Sequence, residues 1–246
     1  FPSNQLKLDL LRDYHPLPDF IPRALFSDLS LPEVQILLPP ATANREAKNA
    51  SLPILAAMLQ LAPGRVTRRF AVERGGLNHW VKVSSAQDCM TMVVSDYAEQ
   101  SEFIGIFKGQ NADGEQQEFP VYRPWRIRLT SVGRNEALPT STAFSTWVSA
   151  FEAQGEATIV DVPPHSAWFE FVSDVRFYMH HFRGSVAVRR FVNEVHASLR
   201  QLDGDRLIKV NYRDSNNDHA ALGFELEVDG FSIDFKLPGI EDLEAV

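Results

Sequence analysis

Basic side chains interleaved with a tryptophan are the residues of this chain whose types and spacing most readily suggest chemistry. Arg65, Arg69, Trp80 and Lys82, joined by Arg126 and Arg128, form the candidate set. Guanidinium and ammonium groups neutralise phosphates and an exposed indole stacks on bases, so one face carrying both could hold a nucleic-acid single strand. The cations are clustered. Between positions 64 and 82, Arg65, Arg68, Arg69, Arg74 and Lys82 stand against one acid, Glu73, while Arg123, Arg126, Arg128 and Arg134 lie in a stretch without any. The formal net charge is −8, so the rest of the chain is strongly acidic. Arginine suits planar pairing with carboxylate or phosphate. The competing reading is that these arginines pair with the chain's own carboxylates, and no named nucleic-acid module matches.

Other candidate sets are weaker. If Asp229-Gly230 turns a hairpin, Glu225 faces Asp234 and Glu227 faces Ser232, and facing carboxylates can hold a divalent cation. An acid followed by Glu-x-Lys is absent, and Lys209 and Arg213 have the phase to neutralise that face. Adjacent His180 and His181 diverge on a helix or a strand. His165 and His219 fall in expected loops, and His79 on an expected inner face. Cys89 is read as buried filler, since a reactive thiol needs a base that sequence does not place. No zincin motif, nucleophile elbow or phosphate-binding loop occurs. No catalytic residue, metal ligand or cofactor is therefore assigned.

The elements that would position these residues follow from periodicity. Proline punctuates the first 52 residues, with a short helix expected at 6–12 and a strand at 33–38, where Val34, Ile36 and Leu38 alternate. Leu37-Leu38-Pro39-Pro40 belongs to an arm that either docks on a partner or packs on its own core. Pro53 opens a helix over 54–61, which Pro63-Gly64 ends. From Gly64 the period is two, and Gly75-Gly76 reads as a hairpin turn placing Trp80 and Lys82 on the outer face with Arg69. Strands are expected at 90–94, 102–107 and 121–130, with a turn at Asp113-Gly114 and an edge or bulge at Pro124. Phe144, Trp147, Val148 and Phe151 have helical spacing, so 143–153 is read as a helix capped by Thr142. Helices are also expected at 168–182 and 186–199, and a strand within 156–162. The C-terminal segment reads as strands, with Val228–Phe231, Leu226–Ile233 and Phe224–Phe235 paired about Asp229-Gly230.

The expected fold class is thus α+β, antiparallel sheets with packed helices. A β-rich part with a proline-rich arm spans 1–139, and helices plus a β-meander span 140–246, as two parts or one continuous domain. At 246 residues with 44% hydrophobic and 23% charged, the chain has an ordinary globular composition. Phenylalanine (17) far outnumbers tyrosine (5), which favours packing over surface recognition. A single cysteine excludes an intrachain disulfide, and with no stretch long enough to span a bilayer a cytoplasmic location is expected. The chain opens on Phe1, so a trimmed or processed N-terminus is also expected. The function expected is non-enzymatic: a component of a larger protein assembly, docking on a protein partner or a second copy through segregated charge. The alternatives are single-strand binding by the Arg/Trp face and a metal-dependent hydrolase or nuclease at the C-terminal carboxylates.

Overall fold

A computed structural model describes residues 31–40, 48–71, 77–110, 116–133 and 136–236. By contacts the chain divides into Phe1–Leu31 and Pro32–Val246, and all that follows concerns the second unit. The expected helix at 6–12 and the turns at Gly75-Gly76 and Asp113-Gly114 lie outside the described residues. No helix among the described residues is long and apolar enough to cross a membrane.

The molecule is β-rich, which corrects the α+β expectation. Among the described residues fourteen strands run from β1 (Glu33–Leu38) to β14 (Gly230–Phe235), against two short α-helices, α1 (Ile54–Gln60) and α2 (Val94–Tyr97). Helix α1 stands where Pro53 placed it, with Pro53 at its N-cap. The three helices expected in the second part do not form. Residues 143–153 belong to β8 (Thr142–Gly155), 168–182 hold β10 (Val172–Tyr178), and 186–199 lie in β11 (Gly184–Gln201).

Two physical reasons account for this. Valine and phenylalanine, which recur in both β8 and β11, are mediocre helix formers that fit a pleated surface well. The ladder between β8 and β11 also carries a bulge. Val192 faces Trp147 and Val195 faces Ser145, so β11 has one residue more than β8 there. That extra residue puts Phe191, Val192 and Val195 at spacings that imitate a helix.

Strand β11 organises the large sheet. One edge takes β8 along nearly its whole length, while the other takes β13 (Ala221–Val228) and then β12 (Gly204–Arg213). From there β13 continues in parallel to β6 (Gln116–Arg128), and β12 in parallel to β4 (Cys89–Val93). Strand β6 pairs with β5 (Ala98–Gln110) and β1, and β1 pairs with β2 (Lys48–Pro53). Strands from both sides of Pro139 therefore share one sheet. Pro124 sits where the β5–β6 register shifts, the bulge it was expected to mark. Strand β1 is laid into this sheet with Val34, Ile36 and Leu38 buried, so this piece of the arm packs on its own core.

Phe191 is fully buried at the centre, its ring 5.9 Å from Phe107 and 5.8 Å from Phe119, with Val121 and Ala221 completing the cluster. Gly223 is glycine for space: a Cβ there would lie 2.5 Å from the Arg190 carbonyl oxygen and 2.7 Å from Phe191. In β12, Ile208, Val210 and Tyr212 are buried as their alternation required.

The expected C-terminal hairpin does not form. Strand β13 joins the large sheet, whereas β14 leaves for a separate three-stranded sheet ordered β14, β10, β9 (Thr158–Val160). At the junction the Asp229 carboxylate accepts hydrogen bonds from the His180 backbone N–H (2.9 Å) and ring (2.8 Å), while Gly230 packs closely on Val186.

Candidate functional site

The two basic stretches do come together, through a two-stranded ladder of β3 (His79–Trp80) and β7 (Thr130–Ser131). They do not form the expected face. Trp80 is 1% exposed, so it offers no surface for stacking. Lys82 is ion-paired with Glu136, whose carboxyl is held below its usual range by that hydrogen bond and one from the Gly133 N–H. Arg128 is ion-paired with Glu99, and Arg126 closes a fork on the Gln35 amide oxygen at 2.9 and 3.1 Å. Arg65 donates to the Leu59 carbonyl and Arg69 to Gln60, both at the end of α1. Arg65 and Arg69 thus lie against α1, Arg126 and Arg128 on β6, and Lys82 beside Glu136; Lys82 and Arg128 meet carboxylates, and the other three donate to neutral oxygens.

The acidic pair is also separated. Glu225 lies in β13, ion-paired with Arg189, and Asp234 lies in β14, 3.6 Å from Arg176. Lys209 is engaged by Glu194 at 2.6 Å. No group of three or more His, Cys, Asp or Glu placed to hold a metal occurs among the described residues. His79 is buried on the inner side, as expected, while His180 and His181 occupy a single 3₁₀ turn (His180–Phe182). Cys89 is exposed rather than buried.

A site that sequence reading missed lies on the small sheet. Antiparallel pairing puts Phe177 opposite Phe231, Val175 opposite Ile233 and Val172 opposite Phe235, with Val160 of β9 beside Val175. Opposed residues share a face, so these side chains make one apolar surface. It is open: Trp168 and Phe231 are each 64% exposed and Phe235 58%. A groove of about 460 Å³ runs over it, lined by Val160, Val162, Trp168, Val175, Phe177 and Phe235 among others. The Trp168 turn is fastened to the sheet where the Val172 N–H donates to the Trp168 carbonyl and Lys236 donates to the Phe169 carbonyl. On the opposite face Arg176, bound to Asp174 at 2.7 Å, stands between Ser232 of β14 and Ile159 of β9.

Phe231, Ile233 and Phe235 do share a face, as the expected hairpin required, but their strand pairs with β10 rather than β13, so that face is not set beside the side chains of the large sheet's core. Alternation alone carries no signal for which sheet a strand joins. Comparison with family models, with curated proteins and with solved structures gave no match to this chain.

Proposed function

We propose that the chain is a non-enzymatic interaction protein, a component of a larger protein assembly, and that it docks through apolar surface rather than through a basic patch. The observation that carries this reading is the open aromatic face of the small sheet. Burying a side chain of this size contributes about 1.5–3 kcal/mol, so Trp168, Phe231 and Phe235 together could anchor a partner as a hot-spot cluster. A contiguous apolar surface of this kind marks an interaction site in a folded protein. Polar groups lining the groove are few, Asp161 and Ser166 among them, and two such side chains do not make a nucleophile with its base. The single-strand reading loses support, since its aromatic is buried and its cations are occupied.

The test uses variants expressed in the native host. Trp168→Ser and Phe231→Ser should each release the chain from its complex, read as a drop in sedimentation rate. Arg128→Glu, on the basic stretch, should leave the complex intact. Dissociation by Arg128→Glu with no effect of the other two would overturn the proposal in favour of charge-mediated docking.

A further inference from the structure

Strand β8 pairs with β11 on one edge, and no described strand pairs with it on the other. An unpaired edge displays a row of N–H and C=O groups that another strand can satisfy, and proteins usually blunt such edges with charge, proline, bulges or brevity. Other open edges among the described strands are short or blunted, six-residue β14 with Asp234 included. Strand β5 carries three register shifts and Gly105 at φ +134°, along with Glu99, Glu102 and Lys108. Strand β2 ends in Pro53, β4 has five residues and β9 three. Strand β8 has fourteen residues without proline or lysine, and its one charged side chain, Glu152, is ion-paired with Arg189.

We infer that the open edge of β8 binds β8 of a second copy of this chain, antiparallel about a two-fold axis at Trp147. This rests on the assembly reading and specifies one of its contacts. The evidence is a short near-palindrome, Ser145-Thr146-Trp147-Val148-Ser149, in which β-branched Thr146 and Val148 have the same shape, flanked by Ala143-Phe144 and Ala150-Phe151. Centred on Trp147, two-fold pairing sets Thr146 opposite Val148, Ser145 opposite Ser149, Phe144 opposite Ala150 and Ala143 opposite Phe151. Trp147 meets its own copy, an aromatic pair of the kind that stabilises a sheet, the serines meet each other, and Phe144 and Phe151 each meet an alanine that leaves their rings room. The two partners in each pair have the same parity, so they share a face, as a two-fold perpendicular to the sheet requires. The stretch has no charge to repel its copy. Phe144 and Phe151, which would be covered, are 67% and 72% exposed. Trp147 stands on the axis with its indole Nε1 lacking a hydrogen-bond partner among the described residues, and its ring is held by Arg190 at 4.8 Å.

Sedimentation equilibrium of the full chain and a register-specific cross-link test this. The full chain should self-associate to dimers. The Phe144→Lys/Phe151→Lys double variant should weaken dimerisation at least about tenfold at unchanged melting temperature, whereas Phe103→Lys on β5 should not. In a Cys89→Ser background, the Ser145→Cys/Ser149→Cys double variant should form a disulfide-linked dimer under mild oxidation. Opposed Cα atoms are about 4.5–5.5 Å apart, within disulfide reach. Either single variant should not, because like positions are displaced by about 13 Å along the strands. A monomer at all concentrations, or cross-linking by the single variants as strongly as by the double, would overturn the pairing. A chain that is monomeric alone but still resides in its native complex overturns only the β8 contact. A β8 dimer with no larger native complex sustains the contact and overturns the assembly reading.

Discussion

Arg189 sits in the middle of β11 and holds Glu225 of β13 on one side and Glu152 of β8 on the other. Its guanidinium also lies 5.1 Å from the Phe107 ring centroid, so one cation ties three strands and caps the core. Much of the charge in this molecule is used in this way, locally and across strands. The types of the basic residues were legible from sequence, but their partners were not. Lys82 meets Glu136 across 54 positions and Arg126 meets Gln35 across 91, and no local spacing encodes such a distance. Glu194 gives the sharpest test at this scale. Burial pushes its carboxyl up, but hydrogen bonds from Lys209 and His196 outweigh that and hold it below its usual range. A carboxyl with a depressed folded pKa contributes stability above its unfolded value, near 4.3, and the contribution is lost as pH falls through the folded value. Glu194→Gln should cost about 1 kcal/mol at neutral pH, measured by urea unfolding, and the deficit should shrink as pH is lowered below about 4.3. A deficit independent of pH would mean that the ion pair is not its source.

At the scale of elements, strands were legible where alternation was clean, whether the pairing was local as for β1 with β2 or distant as for β4 with β12. Strand β1 was expected over the residues it occupies, β4 came within one residue, and β12 buries the side chains its pattern named. Strands β8 and β11 were misread because their aromatics and valines satisfy a helical spacing as well as a strand. What decided between the two was a long-range ladder and a bulge, neither present in a local window. The separation of β13 from β14 was hidden for the same reason, since Asp229-Gly230 is a sound hairpin signal that tertiary contacts of His180 and Val186 override. Because β11 is shared by three strands, its central ring should dominate stability. Phe191→Ala should cost about 3–5 kcal/mol, read as a lower urea midpoint. A loss below about 1 kcal/mol would show that the cluster with Phe107 and Phe119 is not the core of the sheet.

For the whole molecule, a large sheet organised on β11 carries a small amphipathic sheet whose aromatic face no described element covers. Composition pointed to phenylalanine as packing material, yet Phe231 and Phe235 remain mostly exposed. The functional reading therefore moves from the basic stretches, whose tryptophan is buried and whose cations are dispersed, to the exposed apolar surface. Apolar contacts keep their strength in salt while exposed ion pairs are screened, so the two kinds of docking separate cleanly in one experiment. The direct measurement is the sedimentation mass of the chain as isolated from its native source, at low and at high salt. A mass several times that of one chain, unchanged by salt, is the predicted result. A single-chain mass at low salt, or a complex that falls apart as salt rises, would contradict it.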